Sequence, residues 1–209
     1  MSNIMRSIFD LLKPFLYLMV ISVAVPLIIK FDVINFGGGI PEVSLTEFSQ
    51  HFLLFCTVLI FSLSAKKLPQ QRGFYVLVAG FFGCMLLREH DYYFDMITHG
   101  FWFYPTIILA LASIFYTYKN SDNFSASALE FKKTNSYIYI VTGLAIVLIF
   151  SRLFGTGDLW QMIMKTDYQR NYKSIIQEGL ELFGYAIVFL GSIYHVANIN
   201  SLKKVNNSK

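Results

Sequence analysis

Residues 44–65 read SLTEFSQHFLLFCTVLIFSLSA, and this stretch decides the fold class. No charged residue follows His51, and the run is long enough to cross a bilayer core, which takes roughly 20 apolar residues. Its start has the pattern of a capping box, because Ser44 is followed three residues later by Glu47. The stretch therefore predicts a membrane-spanning helix from about residue 45 to Ala65.

The rest of the chain repeats this pattern of apolar runs joined by short polar turns. Of the 209 residues, 55% are hydrophobic and 14% are charged, whereas soluble domains carry about 25% charged residues. The runs predict an all-α polytopic membrane protein, with one domain over residues 1–200 and a disordered cytoplasmic tail over residues 201–209. The six predicted transmembrane helices cover approximately residues 14–30, 45–65, 72–91, 101–118, 136–154 and 175–199.

The first and last predicted helices carry additional signals. Ser22-Val23-Ala24 fits a signal-peptide cleavage site, but the apolar run continues through residues 25–29, so we expect a retained helix. Ser174 is followed by Gln177 in a second capping-box pattern, which predicts that the last helix begins there.

The distribution of charge predicts the orientation of the bundle, since cytoplasmic loops collect Lys and Arg. The segments before the first, after the second, after the fourth and after the sixth predicted helix each carry at least two of the 17 basic residues. Most of the 13 acidic residues lie on the opposite side. Both termini are therefore predicted to be cytoplasmic, in a bacterial inner membrane, and the net charge of +4 requires no nucleic-acid partner.

Ionisable residues occur at the predicted outer ends of four helices. Only 15 uncharged residues precede Arg88 in the third run, so a helix that crosses the bilayer must carry charged groups into the outer leaflet. Such groups normally face a bundle interior or a wet cavity and pair with one another. We predict an outward-facing ligand site built from Glu47, Arg88, Glu89, Asp91, Arg152, Glu178 and Glu181.

Polar residues also follow one face of the last predicted helix. Glu178, Glu181, Tyr185, Ser192 and His195 are separated by three, four, seven and three residues. Positions with this spacing share one side of an α-helix. We expect the stripe to face the interior of the bundle.

Simpler explanations exist for several of these residues. A role as a helix cap alone would account for the presence of Glu47. Arg88 and Arg152 are explained as side chains that snorkel to lipid head groups, or that neutralise Glu89 and Glu181. Asp95 and His99 are explained as solvated loop residues.

Three functions are consistent with the predicted site. Its surplus of carboxylates favours binding or transport of a cation, a small polar molecule or a lipid head group. Alternatively, a divalent metal ion held by Asp91, Asp95, His99 and Glu181 would support a membrane-embedded hydrolase with a lipid-phase substrate. That arrangement loosely resembles the His/Asp metal site of the alkaline ceramidases, although the chain has no HxxxH pattern. The third possibility is a structural or assembly role.

Overall fold

The computed structural model describes residues 3–207, with side chains for residue 5 and residues 7–199. Helices and connecting turns account for this part of the chain, and it contains no β-strand. The helices are α1 (Asn3–Asn35), α2 (Leu45–Lys67), α3 (Arg72–Glu89), α4 (Asp91–Asp95), α5 (Phe103–Lys119), α6 (Phe124–Lys132), α7 (Asn135–Ala145), α8 (Ser151–Phe154), α9 (Gly157–Met164) and α10 (Arg170–Asn207).

Four helical segments within the described residues are long and apolar enough to cross a membrane. A π-helical turn at Ile146–Phe150 joins α7 to α8, so that 135–154 forms one continuous rod. The all-helical class predicted from the apolar runs is therefore confirmed. The four segments are Ser7–Asn35, Leu45–Lys67, Asn135–Phe154 and Arg170–Ile199.

The other two predicted spans correspond to shorter helices. α3 has 18 residues, which include Arg72, Arg88 and Glu89 at its ends, and α5 has 17 residues. At 1.5 Å per residue these helices are about 26–27 Å long, slightly less than the hydrocarbon core of about 30 Å. The count of six spans and the orientation of the termini stay predictions.

The third helix was predicted to reach residue 91, and this boundary is wrong. α3 ends at Glu89, and His90 leaves the helical conformation, with φ −91° and ψ 17°. The imidazole of His90 hydrogen-bonds to the Leu86 carbonyl at 2.8 Å. Asp91 then starts the short helix α4, where its Oδ1 accepts from the Tyr92 amide at 2.7 Å. The chain therefore turns at His90 before it reaches Asp95.

The ends of the first and last helices also differ from the prediction. α10 begins at Arg170, and the Ser174 hydroxyl donates to the Arg170 carbonyl inside the helix, so Ser174 does not cap it. α1 begins before Pro14 and continues to Asn35, with Pro14 and Pro26 both inside it. Prolines are tolerated in membrane-spanning helices because neighbouring groups and local adjustments satisfy the carbonyls that they leave free. The backbone of α10 continues to Asn207, and residues 208 and 209 of the predicted tail lie outside the described residues.

The long helices form a layered bundle in which neighbours along the chain are mostly neighbours in space. α5 packs against α3, α3 against α2, α2 against α10, and α10 against α7. α1 lies against α10 and α2, while the short α6 touches both α3 and α7. The core between the central helices contains Leu54, Phe61, Phe82, Tyr185 and Val188, each no more than 1% exposed.

Small residues bring two helix pairs into close contact. A Cβ atom on Gly143 of α7 would lie 2.6 Å from the Gly184 carbonyl oxygen of α10. Likewise, a Cβ atom on Gly80 of α3 would clash with the Ser113 side chain of α5. Contacts through small residues are typical of helices that associate in membranes, where close van der Waals packing replaces the hydrophobic effect.

Candidate functional site

Acidic and basic residues gather at opposite ends of the bundle. We use the name acidic end for the end of the bundle that is formed by the C-termini of α1 and α3, the N-termini of α2 and α10, and α8. The opposite end, formed by the C-termini of α2 and α5 and by α6, is called the basic end. The predicted ligand residues all lie at or near the acidic end, and their contacts divide into three groups.

The first contacts at the acidic end fix the start of α2. Ser44 Oγ accepts a hydrogen bond from the Glu47 amide at 3.2 Å, as the capping box predicts. A second acceptor comes from α1, because the fully buried Asp32 carboxylate accepts from Leu45 N at 3.1 Å and from Thr46 N at 2.7 Å. The Thr46 hydroxyl donates to the same carboxylate at 2.6 Å. Asp32 therefore ties the end of α1 to the N-terminus of α2.

Glu47 and Glu178 form the first group of the site. No hydrogen bond joins the Glu47 carboxylate to the Ser44 amide in the described structure, so the second half of the predicted capping box is not formed. The Glu47 side chain turns towards α10 instead, where its carboxyl group lies beside that of Glu178. Gln50, one turn along α2, donates from Nε2 to Glu178 Oε2 at 3.0 Å and to the Glu178 carbonyl at 3.2 Å. The Gln50 side chain is completely buried, and its Oε1 has no hydrogen-bond partner among the described residues.

Glu89, at the end of α3, is the centre of the second group. Its carboxylate accepts from the buried Tyr185 hydroxyl of α10 at 2.7 Å and lies 3.5 Å from the Arg88 guanidinium. His51 hydrogen-bonds to the Glu89 carbonyl at 2.9 Å and stacks on His90, with ring centroids 4.1 Å apart. The contacts of Glu89 therefore join α2, α3 and α10.

Glu181 forms the third group with residues of α8 and α10. This carboxylate is 2% exposed, and Arg152 Nη2 lies 3.1 Å from its Oε1. The same oxygen accepts from Gln177 Nε2 at 3.1 Å and from Ser151 Oγ at 3.4 Å. The π-helical turn immediately precedes Ser151 and Arg152, and it sets the rotation at which both residues face Glu181.

The remaining candidates do not join these groups. Asp91 is exposed, and Asp95 pairs with His99 at 2.9 Å, where the His99 side chain is 98% exposed. Asp95 also accepts from Gly100 N at 2.8 Å and so closes the turn before α5. Among the described side chains, those of residue 5 and residues 7–199, no three His, Cys, Asp or Glu residues are arranged to hold a metal ion. The predicted metal set of Asp91, Asp95, His99 and Glu181 is thus not brought together.

Negative charge extends into the loop between α1 and α2. Partial burial raises the pKa of the Glu42 carboxyl group, and the nearby charges of Asp91 and Glu89 raise this pKa further. These neighbouring carboxylates make the electrostatic potential negative at this end of the bundle.

The polar stripe predicted on the last helix is largely buried, as expected. Glu181, Tyr185, Ser192 and His195 are each no more than 3% exposed. His195 lies far along α10 from the acidic end and hydrogen-bonds to Ser64 Oγ at 3.1 Å. It serves the interior of the bundle, as the sequence had suggested.

Several residues of the site were missed as candidates. Gln50 follows Glu47 by three residues on one helical face, and this spacing could have identified it. Ser151 directly precedes a predicted site residue. Asp32 had no such signal, because its partners are 13 and 14 residues away across a loop.

No protein-family model, curated protein or solved structure matches this chain. The class is therefore defined by the fold and the site alone. In the part of the chain that the structure describes, the protein is all-helical and has four helices that are able to span a membrane. At one end lies a cluster of largely buried carboxyl and amide groups with two partly exposed guanidinium groups.

Proposed function

We propose that the protein is a multi-pass protein of the bacterial inner membrane, with six spans and both termini in the cytoplasm. Contacts along the length of α3 and α5 support this proposal. The Thr117 hydroxyl donates to the Gly73 carbonyl at the basic end, and the Cys84 thiol lies 3.5 Å from the Thr106 carbonyl towards the acidic end. α3 and α5 therefore lie side by side over the depth that α2 occupies, and snorkelling of Arg72 and Arg88 extends their reach.

Labelling of single cysteines tests the count of spans. After Cys56 and Cys84 are replaced by serine, Thr98→Cys and Asp122→Cys place one thiol on either side of α5. Six spans predict that a membrane-impermeant maleimide labels Thr98→Cys in intact cells and labels Asp122→Cys only after permeabilisation. If α3 and α5 do not cross the membrane, both thiols lie on one side and react alike.

For the acidic end, we propose the binding of a small cation that exchanges with a proton, as part of a binding or transport function. The observation that carries this proposal is the Glu47–Glu178 pair with the unpartnered Gln50 Oε1 beside it. Two carboxyl groups that are buried side by side repel each other when both are charged, so such a pair requires a proton on one of them or a cation between them. A cation that replaces this proton would gain oxygen ligands from both carboxylates and from the amide.

The distribution of positive charge supports the same site. Two arginines of the acidic end pair with other carboxylates, Arg88 with Glu89 and Arg152 with Glu181. In the described residues, the one basic group within 4.0 Å of either carboxylate of the pair is His51, at 3.9 Å from Glu47. Buried carboxylates require a compensating charge, so the Glu47–Glu178 pair is the place where a proton or cation is needed.

The nature of the ligand atoms indicates which cations fit. Carboxylate and amide oxygens are hard ligands that suit Na⁺, Mg²⁺ or Ca²⁺, and they accept hydrogen bonds from an ammonium group equally well. We therefore expect a hard cation or a primary ammonium ion.

Cation-dependent thermal stabilisation of the detergent-purified protein tests this function. We expect Na⁺, K⁺, Mg²⁺, Ca²⁺ or methylammonium to raise the unfolding temperature, with an apparent affinity that increases from mildly acidic to mildly basic pH because binding releases a proton. Glu178→Gln and Glu47→Gln should each weaken the affinity by about thirtyfold or more, as expected when one partner of a buried charged site is removed.

Asp95→Asn is the matched control, since it neutralises a carboxylate at the same end that pairs with exposed His99. It should leave the cation response unchanged. Equal loss in Asp95→Asn and Glu178→Gln would indicate nonspecific surface binding. A complete lack of response to all five cations in the unaltered protein would contradict the proposed function.

The metal-dependent hydrolase and the structural role stay alternative predictions. The hydrolase requires Asp91, Asp95, His99 and Glu181 to share one ion, whereas Glu181 is engaged by Arg152. A structural role requires the Glu47–Glu178 pair to contribute stability without any dependence on cations. The thermal measurements above separate that outcome from cation binding.

A further inference from the structure

A cleft opens between α3 and α7 beside the basic end of the bundle. α3 packs against α2 and α5, α7 packs against α10, and the short α6 bridges α3 and α7 at one end. The resulting space has a volume of about 620 Å³. Its walls are Phe74, Val78 and Phe81 of α3 and Ile140, Val141 and Leu144 of α7.

The cleft runs along the helix axes from α6 towards the middle of the bundle. Phe74 and Phe81 are seven residues apart on α3, and this separation corresponds to about 10 Å along a helix. The buried Phe131 of α6 closes one side. Phe81, Leu129 and Val141 are between 43% and 59% exposed and leave the cleft open laterally. This shape suits a linear hydrocarbon chain that enters from the side.

Charge is confined to one end of this apolar cleft. Lys132, the last residue of α6, is the one charged residue among those that line it, and its side chain is exposed. Lys133 follows directly. The acid on α6, Glu130, is turned to the other side of that helix, where it accepts from Gln71 Nε2 at 2.7 Å.

We propose that the cleft binds one anionic phospholipid, with an acyl chain between α3 and α7 and the phosphate at Lys132. The site is separate from the acidic end, and it rests on the membrane crossing of α3 and α7 proposed above. A buried chain fills apolar volume that the protein itself leaves open. Basic residues at the membrane surface favour an anionic head group over a zwitterionic one.

Native mass spectrometry of the detergent-purified full chain, after addition of phosphatidylglycerol or phosphatidylcholine, tests this inference. We expect one phosphatidylglycerol to be retained per chain, and more tightly than phosphatidylcholine. Lys132→Gln should weaken the retention about fivefold, the effect of one basic group near an anionic surface. Val141→Trp should abolish the retention, because its ring occupies the space of the acyl chain.

Two controls separate binding in the cleft from general effects on the bundle. Lys119→Gln removes a charge from the same end of the bundle outside the cleft, and Ile138→Trp adds an indole to an exposed position of α7 that does not line it. Both variants should retain lipid as the unaltered chain does. Equal retention of the two lipids, or equal effects of Lys132→Gln and Lys119→Gln, would overturn the choice of an anionic head group at Lys132.

A folded Val141→Trp variant that still retains one lipid would overturn the cleft itself. Gel filtration and circular dichroism establish whether the variant is folded. Should Val141→Trp misfold, Ala128→Leu narrows the same cleft from α6 and is expected to weaken retention in its place. These lipid measurements do not depend on cation binding at Glu178. If Asp122→Cys is labelled in intact cells, the proposed six-span topology is contradicted, and that result is obtained without any lipid measurement.

Discussion

Replacement of Asp32 by asparagine should lower the free energy of unfolding by about 2–4 kcal/mol, because buried N–H and O–H donors lose a charged acceptor. The carboxylate accepts from two backbone amides of α2 and from the Thr46 hydroxyl. An asparagine side chain offers one oxygen, and its NH₂ group must face a donor. The lost negative charge also stood at the positive N-terminal end of α2. Equilibrium unfolding in mixed micelles, followed by circular dichroism, measures the change.

Two further substitutions provide a scale for the destabilisation caused by Asp32→Asn. Ser44→Ala removes one hydrogen bond from the Glu47 amide and should cost about 1 kcal/mol, a typical value for an N-cap. Asn35→Ala removes an exposed bond to the Phe31 carbonyl and should change the stability little. If Asp32→Asn is no more destabilising than Asn35→Ala, Asp32 does not hold α1 against α2 in the folded protein.

Asp32 also bears on the proposed cation site, since Thr46 precedes Glu47 directly. A start of α2 that is loosened by Asp32→Asn would allow Glu47 to move away from Glu178. We therefore expect this variant to bind cations more weakly even under conditions in which it remains folded. The comparison with Ser44→Ala shows whether weaker cation binding results from displacement of Glu47 or from the lower stability of the protein.

Replacement of Gly143 by valine should destabilise the protein by about 3 kcal/mol, the cost of severe overpacking. A Cβ atom at this position would lie 2.6 Å from the Gly184 carbonyl oxygen, 2.7 Å from Val188 Cγ2 and 2.9 Å from Val188 N. Two of these three atoms belong to the backbone of α10 and cannot move aside alone. α7 and α10 must therefore separate, and the same unfolding measurement reports the loss.

Gly39→Ala is the control for Gly143→Val. A Cβ atom on Gly39 would make an ordinary contact, 3.6 Å from Asn171 Nδ2, so the stability should hardly change. The separation of α7 from α10 would also draw Arg152 away from Glu181. Gly143→Val should therefore leave Glu181 without its guanidinium partner. If the Gly143→Val variant is as stable as the unaltered protein, α7 and α10 do not pack against each other at this glycine.

The start of α2 shows what local sequence can predict about the site. Ser44 caps the helix as the pattern required, because the capping residue and the amide it accepts from are three residues apart. The same pattern at Ser174 was misleading. There the helix had already started at Arg170, and the Ser174 hydroxyl turned back to a carbonyl within it. A short motif therefore describes a possible contact, and the tertiary structure decides whether the helix begins there.

The residues of the candidate site could be predicted where the evidence for them lies within a few neighbouring residues of the sequence. Charged residues within or beside an apolar run identified Glu47, Glu89 and Glu181, because such groups must find partners in a low-dielectric interior. The spacing on α10 correctly predicted a buried face. Asp95 and His99 carried a similar signal but lie in a turn, since the chain leaves the helix at His90.

By itself, the sequence determined the all-helical class, the positions of the four helices that are long enough to span a membrane, and the end of the bundle at which acids accumulate. These features follow from apolar length and residue spacing, which act within one or two turns of a helix. Only the tertiary structure decided that Glu47 meets Glu178, that Arg152 meets Glu181, and that Asp32 caps α2. These partners are distant along the chain, so their meeting depends on how the helices rotate and pack against one another.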